Sequence, residues 1–271
     1  MRIWLRAKRL TENHPKIHVP LLKVVTKMRL PNRRLPSAKI VYDDGWKVIE
    51  DQKIFAVPAP QRGYSIVGGG IMQAKETLAK RYFPAGDIQR RCAGRTVIDV
   101  GANIGIFTMA ALDAGAERVI AFEPDPLAFA CLRANVGNDP RVSIHQVMLN
   151  DEDGTSSLFL ATSRGDSSMI APASFQDIIP VISRRLDSLD FVLSDGDVLK
   201  VEAEGAEPEV LRGCLWTLSH SRIFVTTRAS YERQGESTYA DCNQILETIG
   251  YRCWAGDNLV PPKQLLAEAS S

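Results

Sequence analysis

No apolar run in the 271 residues is long enough to cross a bilayer, which takes about 20 consecutive apolar residues. No transmembrane segment is therefore expected. Arg6, Lys8 and Arg9 interrupt what would be the apolar core of a secretory leader, so no signal peptide is expected either. Cysteine is scarce and odd in number: Cys92, Cys131, Cys214, Cys242 and Cys253, with no Cys-x-x-Cys pair. That argues against a disulfide framework and a zinc site, and suits small buried side chains in a reducing compartment. A cytoplasmic location is the expectation. Histidine is scarcer still, at four. His14 and His18 have ligand-like spacing, but Pro15 lies between them and no carboxylate cluster accompanies them, so no metal site is expected. Internal repeats and low-complexity segments are also lacking.

Net charge is nearly lacking too, at +1, but its distribution is uneven. Residues 1–39 hold eleven Lys or Arg and one acid, Glu12, which makes about +10 and leaves about −9 on the rest. One reading of this basic arm (residues 1–37) is a short amphipathic helix through Leu21, Leu22, Val25 and Met28 packed on the body. The other is an anionic partner: acidic glycan, lipid head group or nucleic acid. The aromatic-interleaved pattern of RNA-binding surfaces is missing, so nucleic acid is not favoured.

What is present is an α/β alternation. Residues 38–58 read as a pair of strands, Lys39-Ile-Val-Tyr and Trp46-Lys-Val-Ile, around Asp43-Asp-Gly. Val67-Gly-Gly-Gly-Ile71 then precedes a helical pattern through Tyr82, and residues 38–93 read as a β-hairpin with a helical lid. From residue 94 a larger domain runs to 271. Strand 96–100 leads to helix 104–114, strand 118–122 to helix 126–136, and strand 142–148 ends at Asn150. A β-rich excursion through Ser157-Leu-Phe-Leu follows. Strand 197–202 leads to helix 207–218, strand 222–227 to helix 238–249, and Tyr251-Arg-Cys-Trp closes the set. The spacing predicts a mostly parallel, doubly wound Rossmann-like sheet. Ligands of such sheets bind beyond the carboxyl ends of the strands.

Thr96-Val-Ile-Asp-Val-Gly-Ala-Asn-Ile-Gly105 is the densest motif, followed eighteen residues later by Glu123 in Phe-Glu-Pro-Asp. A strand ends in glycines, a helix follows, and the next strand ends in a carboxylate. This unit suits an adenosine cofactor. A dinucleotide fingerprint would need glycines where Gly101, Asn103 and Ile106 stand, so a nicotinamide dehydrogenase is disfavoured. The Asp-x-Gly-x-Asn-x-Gly pattern resembles the S-adenosylmethionine loop of Rossmann-like methyltransferases. Candidate cofactor-binding residues are Asp99, Gly101, Ala102, Asn103, Gly105, Glu123 and Pro124, with Met148 and Asn150 at the next strand end. Gly101 and Gly105 allow sharp turns and close approach. Asp99 could meet the cofactor's ammonium, and the start of the following helix its carboxylate. Glu123 offers two acceptors to ribose hydroxyls, and Met148 and Asn150 lie where an adenine could be met.

Leu199-Lys-Val-Glu-Ala-Glu-Gly-Ala-Glu-Pro-Glu-Val-Leu-Arg-Gly213 is the second constellation. Lys200, Glu202 and Glu204 would share one face of a continuing strand, an expensive arrangement unless they pair or meet a ligand. Glu202 is the leading candidate for catalytic base or acceptor-orienting group. Glu204 is second, and Lys200 would position them or stabilise a developing alkoxide.

Together with Arg185-Leu-Asp-Ser-Leu and Asn150-Asp-Glu-Asp-Gly, these two motifs resemble the FkbM family of methyltransferases over about residues 94–254. The resemblance implies S-adenosylmethionine-dependent O-methylation of a sugar, glycan or polyketide-like small molecule. This chain has Glu202 where that family usually has Asp. It also has Arg228 near the place where an acid often ends the next strand. Arg228 points to an anionic acceptor, or to altered or reduced activity. A catalytically weak member that binds an anionic partner through its basic arm is thus the alternative. Neither an Asn-Pro-Pro-aromatic element nor a Pro-Cys pair supports nucleic-acid base methylation.

Overall fold

The computed structural model describes residues 39–58, 70–161, 167–172, 175–231, 233, 235–257 and 262–270. The basic arm and residues 67–69 of the glycine run lie outside them. The chain divides into two compact units at Ala74/Lys75.

In the first unit, strands β1 (Lys39–Tyr42), β2 (Trp46–Glu50) and β3 (Lys53–Val57) form an antiparallel meander. Val48 and Phe55 are register partners and both are buried, as is Val57. The third strand adds to the pair read from the sequence. It follows a two-residue turn in which Asp51 and Gln52 both take positive φ, at 47° and 67°. That is the hairpin geometry usually signalled by Asn-Gly, and Asp-Gln hides it. Helix α1 (Gly70–Tyr82) follows, and its later turns belong to the second unit.

The second unit begins with the remainder of α1 and the short α2 (Ile88–Cys92). Its main sheet contains β4 (Thr96–Val100), β5 (Arg118–Phe122), β6 (Val142–His145), β10 (Val198–Val201), β11 (Phe224–Arg228), β12 (Tyr251–Ala255) and β13 (Gln264–Ala269). Their order is β12-β13-β11-β10-β4-β5-β6. Only β13 runs against its neighbours β11 and β12. The strand order reverses at β4, and the β4 and β10 carboxyl ends lie side by side there. Helices α3 (Ile106–Asp113), α4 (Pro126–Val136), α5 (Glu207–Arg212), α6 (Leu215–His220) and α7 (Tyr239–Thr248) complete the α/β fold.

Side chains alternate across the sheet. Ile98, Val100, Ile120, Leu199, Val201 and Val225 pack with residues of α5, α6 and α7 on one face. Val97, Val119, Val198 and Phe224 pack with Tyr82, Phe83, Phe107 and Ala111 on the other. The expected helix 207–218 is broken at Gly213-Cys214. A Cβ on Gly213 would stand 1.9 Å from the Asn150 carbonyl oxygen, so glycine is what admits this approach. The expected strand 142–148 is also two pieces. β6 ends at His145, and β7 (Met148–Leu149) leaves the main sheet to pair with β9 (Asp177–Arg184), which pairs antiparallel with β8 (Gly154–Leu160). Among the described residues no helix is long and apolar enough to cross a membrane.

Candidate active site

A polar row crosses the sheet interior at the switch point. Asp99 of β4, Lys200 of β10 and Thr226 of β11 are register partners, and all are buried. Lys200 Nζ donates to Asp99 Oδ1, the Val100 carbonyl and the Gly101 carbonyl, each at 2.9 Å. Thr108 of α3 donates to the other Asp99 oxygen at 2.7 Å. An ammonium has three protons, so Lys200 is satisfied inside the protein. Its Nζ also stands 5.3 Å from the Tyr82 ring centroid and 5.6 Å from that of Phe107. Lys200 therefore ties β10 to the turn after β4, and Asp99 lies beneath that turn, fully buried, with a partner on each oxygen. Direct contact of Asp99 with a ligand ammonium, or of Lys200 with a developing alkoxide, is not available in this arrangement.

Above this tie the chain turns through Gly101 (φ +72°), Asn103 (φ 51°) and Gly105 (φ +90°). A Gly101 Cβ would meet the Glu202 carbonyl oxygen at 1.9 Å, and a Gly105 Cβ would meet Leu132 of α4 at 3.0 Å. Gly101 thus admits a close backbone approach, and Gly105 admits the side chains of α4. Ala102 is buried with Phe129 and Leu132 under α4. Gly105 caps α3, whose first N–H groups have no acceptor within the helix.

Glu123 is 6 % exposed at the end of β5. One oxygen accepts from Asn103 N and the other from Asp125 N, both at 2.8 Å. Burial raises its pKa to about 7, against the lowering effect of those two N–H groups. Past half-buried Pro124, Asp125 caps α4 by accepting from Leu127 N at 2.9 Å. Asn150 is 7 % exposed, and its Oδ1 is buried with no hydrogen-bond partner among the described residues. Met148, by contrast, packs among Leu158, Leu160 and Val181 of the small sheet and Met169 beside it, so its side chain is spent on that core.

Glu202 follows β10 and extends the ladder by one bond, its N donating to the Val100 carbonyl at 3.1 Å. Its carboxylate is paired with Arg81 at 3.2 Å and lies 4.0 Å from Lys200 Nζ. Burial alone would raise the Glu202 pKa. Lys200, the Tyr82 hydroxyl, Arg81 and Arg228 outweigh it and hold the group below the usual range. Tyr82 is fully buried, and its hydroxyl lies against this carboxylate without forming a hydrogen bond of good geometry. Burial first, then the Glu202 charge, push the phenol well above its ordinary pKa. Arg81 and Tyr82 belong to no motif that the sequence offers. They come from α1, and 121 positions separate Arg81 from Glu202.

β10 ends at Val201, so Glu204 does not share a strand face with Lys200 and Glu202. It occupies a turn at φ 47°, before Gly205 at φ 100°. Glu207 braces this turn. One of its oxygens accepts from Ala203 N and Gly205 N, and the other from Ser230 and Thr238 hydroxyls, at 2.8–3.1 Å. Glu202, Glu204, Glu207, Arg228, Ala229, Ser230, Tyr231 and Lys263 line a pocket of about 160 Å³. Among the described residues no group of three or more His, Cys, Asp or Glu could hold a metal ion.

Residues 99–253 match the family described as the methyltransferase FkbM domain. Two curated relatives are similar. The 2-O-methyltransferase NoeI of Sinorhizobium fredii is 27 % identical over 155 residues, covering 50 % of this chain and 64 % of the relative. Methyltransferase 1 of Beauveria bassiana is 30 % identical over 142 residues, covering 43 % and 57 %. The chain thus spans less than two thirds of each. The methyltransferase FkbM of Methylobacillus flagellatus superposes with a TM-score of 0.44 at 18 % identity, covering 77 % of this chain and 60 % of that one.

Proposed function

We propose that this chain, which belongs to the FkbM family of methyltransferases, transfers the methyl group of S-adenosylmethionine to a hydroxyl of a sugar, glycan or polyketide-like small molecule. One observation carries the reading. The glycine turn beside Glu123 and the pocket edge at Glu202 are in direct backbone contact, because the Glu202 carbonyl rests where a Gly101 side chain would be. A ligand on the turn and a ligand in the pocket would meet there.

Bound at the turn, S-adenosylmethionine would supply an electrophilic methyl group. Glu123 would accept from the ribose hydroxyls and the orphaned Asn150 Oδ1 from the adenine amino group. The first N–H groups of α3 suit the carboxylate. Glu202 would accept the hydrogen of the attacking hydroxyl and aim its oxygen. Its lowered pKa makes it a weak proton acceptor, so aiming is the larger part of its role. Alignment of reacting atoms alone can contribute about 7–11 kcal/mol.

Calorimetric titration with S-adenosylmethionine, S-adenosylhomocysteine and NAD tests the cofactor. The expected result is binding of the two sulfur ligands and none of NAD. Binding by neither sulfur ligand, with or without candidate acceptors present, would remove the reading. Full cofactor binding without turnover across acceptor panels would favour the non-catalytic alternative.

Two further results are expected. Glu202→Ala, which removes the aiming oxygens, should lower kcat about 10²-fold or more while leaving cofactor affinity nearly unchanged. Unaltered turnover in a folded variant would end the role of Glu202. The second concerns pH. Glu123 titrates near 7 in the free protein, and the ionised form is the better acceptor of ribose hydroxyls. S-adenosylhomocysteine affinity should therefore rise with pH through about 7, with proton release below it, and Glu123→Gln should flatten the profile. Stability runs the other way. Because the folded pKa lies above the ordinary 4.5, ionising Glu123 costs stability, which falls between pH 4.5 and about 7. An affinity independent of pH from about 5.5 to 8.5, a window of more than a unit on either side of that pKa, would exclude Glu123 from the ribose.

A further inference from the structure

The pocket beside Glu202 has two walls of opposite charge. Its carboxylates come from the 202–207 turn, and its cations come from the sheet edge at β11 and β13. The carboxylate wall is largely compensated from behind. Glu202 is paired with Arg81 and near Lys200, and Glu207 is held by four hydrogen bonds. The cationic wall is compensated less directly: Arg228 acts on the Glu202 carboxylate only through space, and Asp257 accepts from the Lys263 backbone N–H at 3.2 Å. Arg228 and Lys263 enter no ion pair among the described residues. Lys263 Nζ stands 5.3 Å from the Tyr231 ring centroid.

The backbone holds the two cations together. Arg228 is the register partner of Gln264, and Ala229 N donates to the Lys263 carbonyl at 2.8 Å. The pair therefore spans one antiparallel step at the strand ends. Guanidinium offers a planar fork and ammonium a compact charge, a combination suited to an oxyanion. A neutral polyol would satisfy Glu202 and leave the cationic wall unmatched. A hydroxylated anion would satisfy both.

We infer that Arg228 and Lys263 form an oxyanion subsite of the acceptor pocket, and that the acceptor carries a carboxylate, sulfate or phosphate near the hydroxyl presented to Glu202. This deepens the methyltransfer reading and rests on it for the word acceptor, but the anion subsite can be tested by itself.

The test uses the full chain and three probes, inorganic sulfate, glucuronate and glucose, titrated with and without S-adenosylhomocysteine. Sulfate and glucuronate should bind, and glucose should bind at least about tenfold more weakly. Arg228→Gln combined with Lys263→Gln should weaken both anions about tenfold or more while S-adenosylhomocysteine affinity stays within about twofold. Arg228→Lys, which keeps the charge but loses the fork, should retain part of the binding and serves if the double variant does not fold. Equal binding of glucuronate and glucose would overturn the subsite, as would anion binding unchanged in the double variant. Absence of S-adenosylhomocysteine binding in the native chain would instead sink the methyltransfer reading. The subsite would survive that result if sulfate still depended on Arg228.

Discussion

Lys200→Met should lower the unfolding free energy by about 3–5 kcal/mol, the cost of stranding a buried charge by removing its partner. Asp99 would keep Thr108 but lose the ammonium, and it is fully buried. The Gly101 carbonyl would lose the ammonium in the same step, and the Val100 carbonyl would keep only its bond from Glu202 N. Methionine is close to the lysine stem in length, so the packing against Tyr82 and Phe107 is largely kept and the charge is what changes. The measurement is equilibrium denaturation in urea, paired with cofactor titration. Pairing Lys200→Met with Asp99→Asn should recover a large part of the loss, because no unpaired charge remains buried. A loss below about 1 kcal/mol for Lys200→Met would mean that the tie between β4 and β10 is not held by this ion pair. A loss of catalysis with stability unchanged would return Lys200 to the catalytic role read from the sequence.

That contrast shows how far the sequence is legible. Local signals carry well. The Pro-Asp-Pro run places the start of α4 at Pro126, where Asp125 accepts the helix N–H groups. Apolar runs place β4 and β5 at Thr96–Val100 and Arg118–Phe122. Glycine spacing places the turn between them, and Glu123 lies at its edge. What stays hidden depends on register between distant segments. Asp99 and Lys200 are 101 positions apart, and only the pairing of β4 with β10 reveals that they neutralise each other. Arg81 and Tyr82 lie on an amphipathic helix with no local mark of their contact with Glu202. β13 is illegible because a short segment, Gln-Leu-Leu-Ala-Glu-Ala, is as compatible with helix as with strand. Its place between β11 and β12 is decided by the sheet. Lys263 is hidden for the same reason, since it joins Arg228 only once β13 has inserted.

Gly101→Ala should remove cofactor binding as completely as Gly101→Val, because the obstruction lies at the β-carbon itself. That atom would stand 1.9 Å from the Glu202 carbonyl oxygen and 3.0 Å from its carbon, and neither is the end of a flexible side chain. Relief requires the turn after β4 and the strand end of β10 to separate. Such a movement would break the Glu202 N to Val100 bond and shift the carboxylate paired with Arg81. Both halves of the site would therefore lose geometry together. The φ of +72° adds a second penalty, of about 1–2 kcal/mol for a residue with a side chain. Gly250→Ala separates the two contributions. Gly250 has φ +85°, but a Cβ there would meet nothing within 4 Å, so its alanine variant bears backbone strain alone. Calorimetry on the three variants should give near-native S-adenosylhomocysteine affinity for Gly250→Ala. For both Gly101 variants, affinity should fall by about 100-fold or more, equivalent to about 2.7 kcal/mol. Native affinity in Gly101→Ala would show that the turn and the Glu202 carbonyl can move apart freely. The cofactor site and the acceptor pocket would then not be coupled through this contact. Loss in Gly101→Val alone would place the obstruction beyond the β-carbon, in the space a ligand on the turn would use.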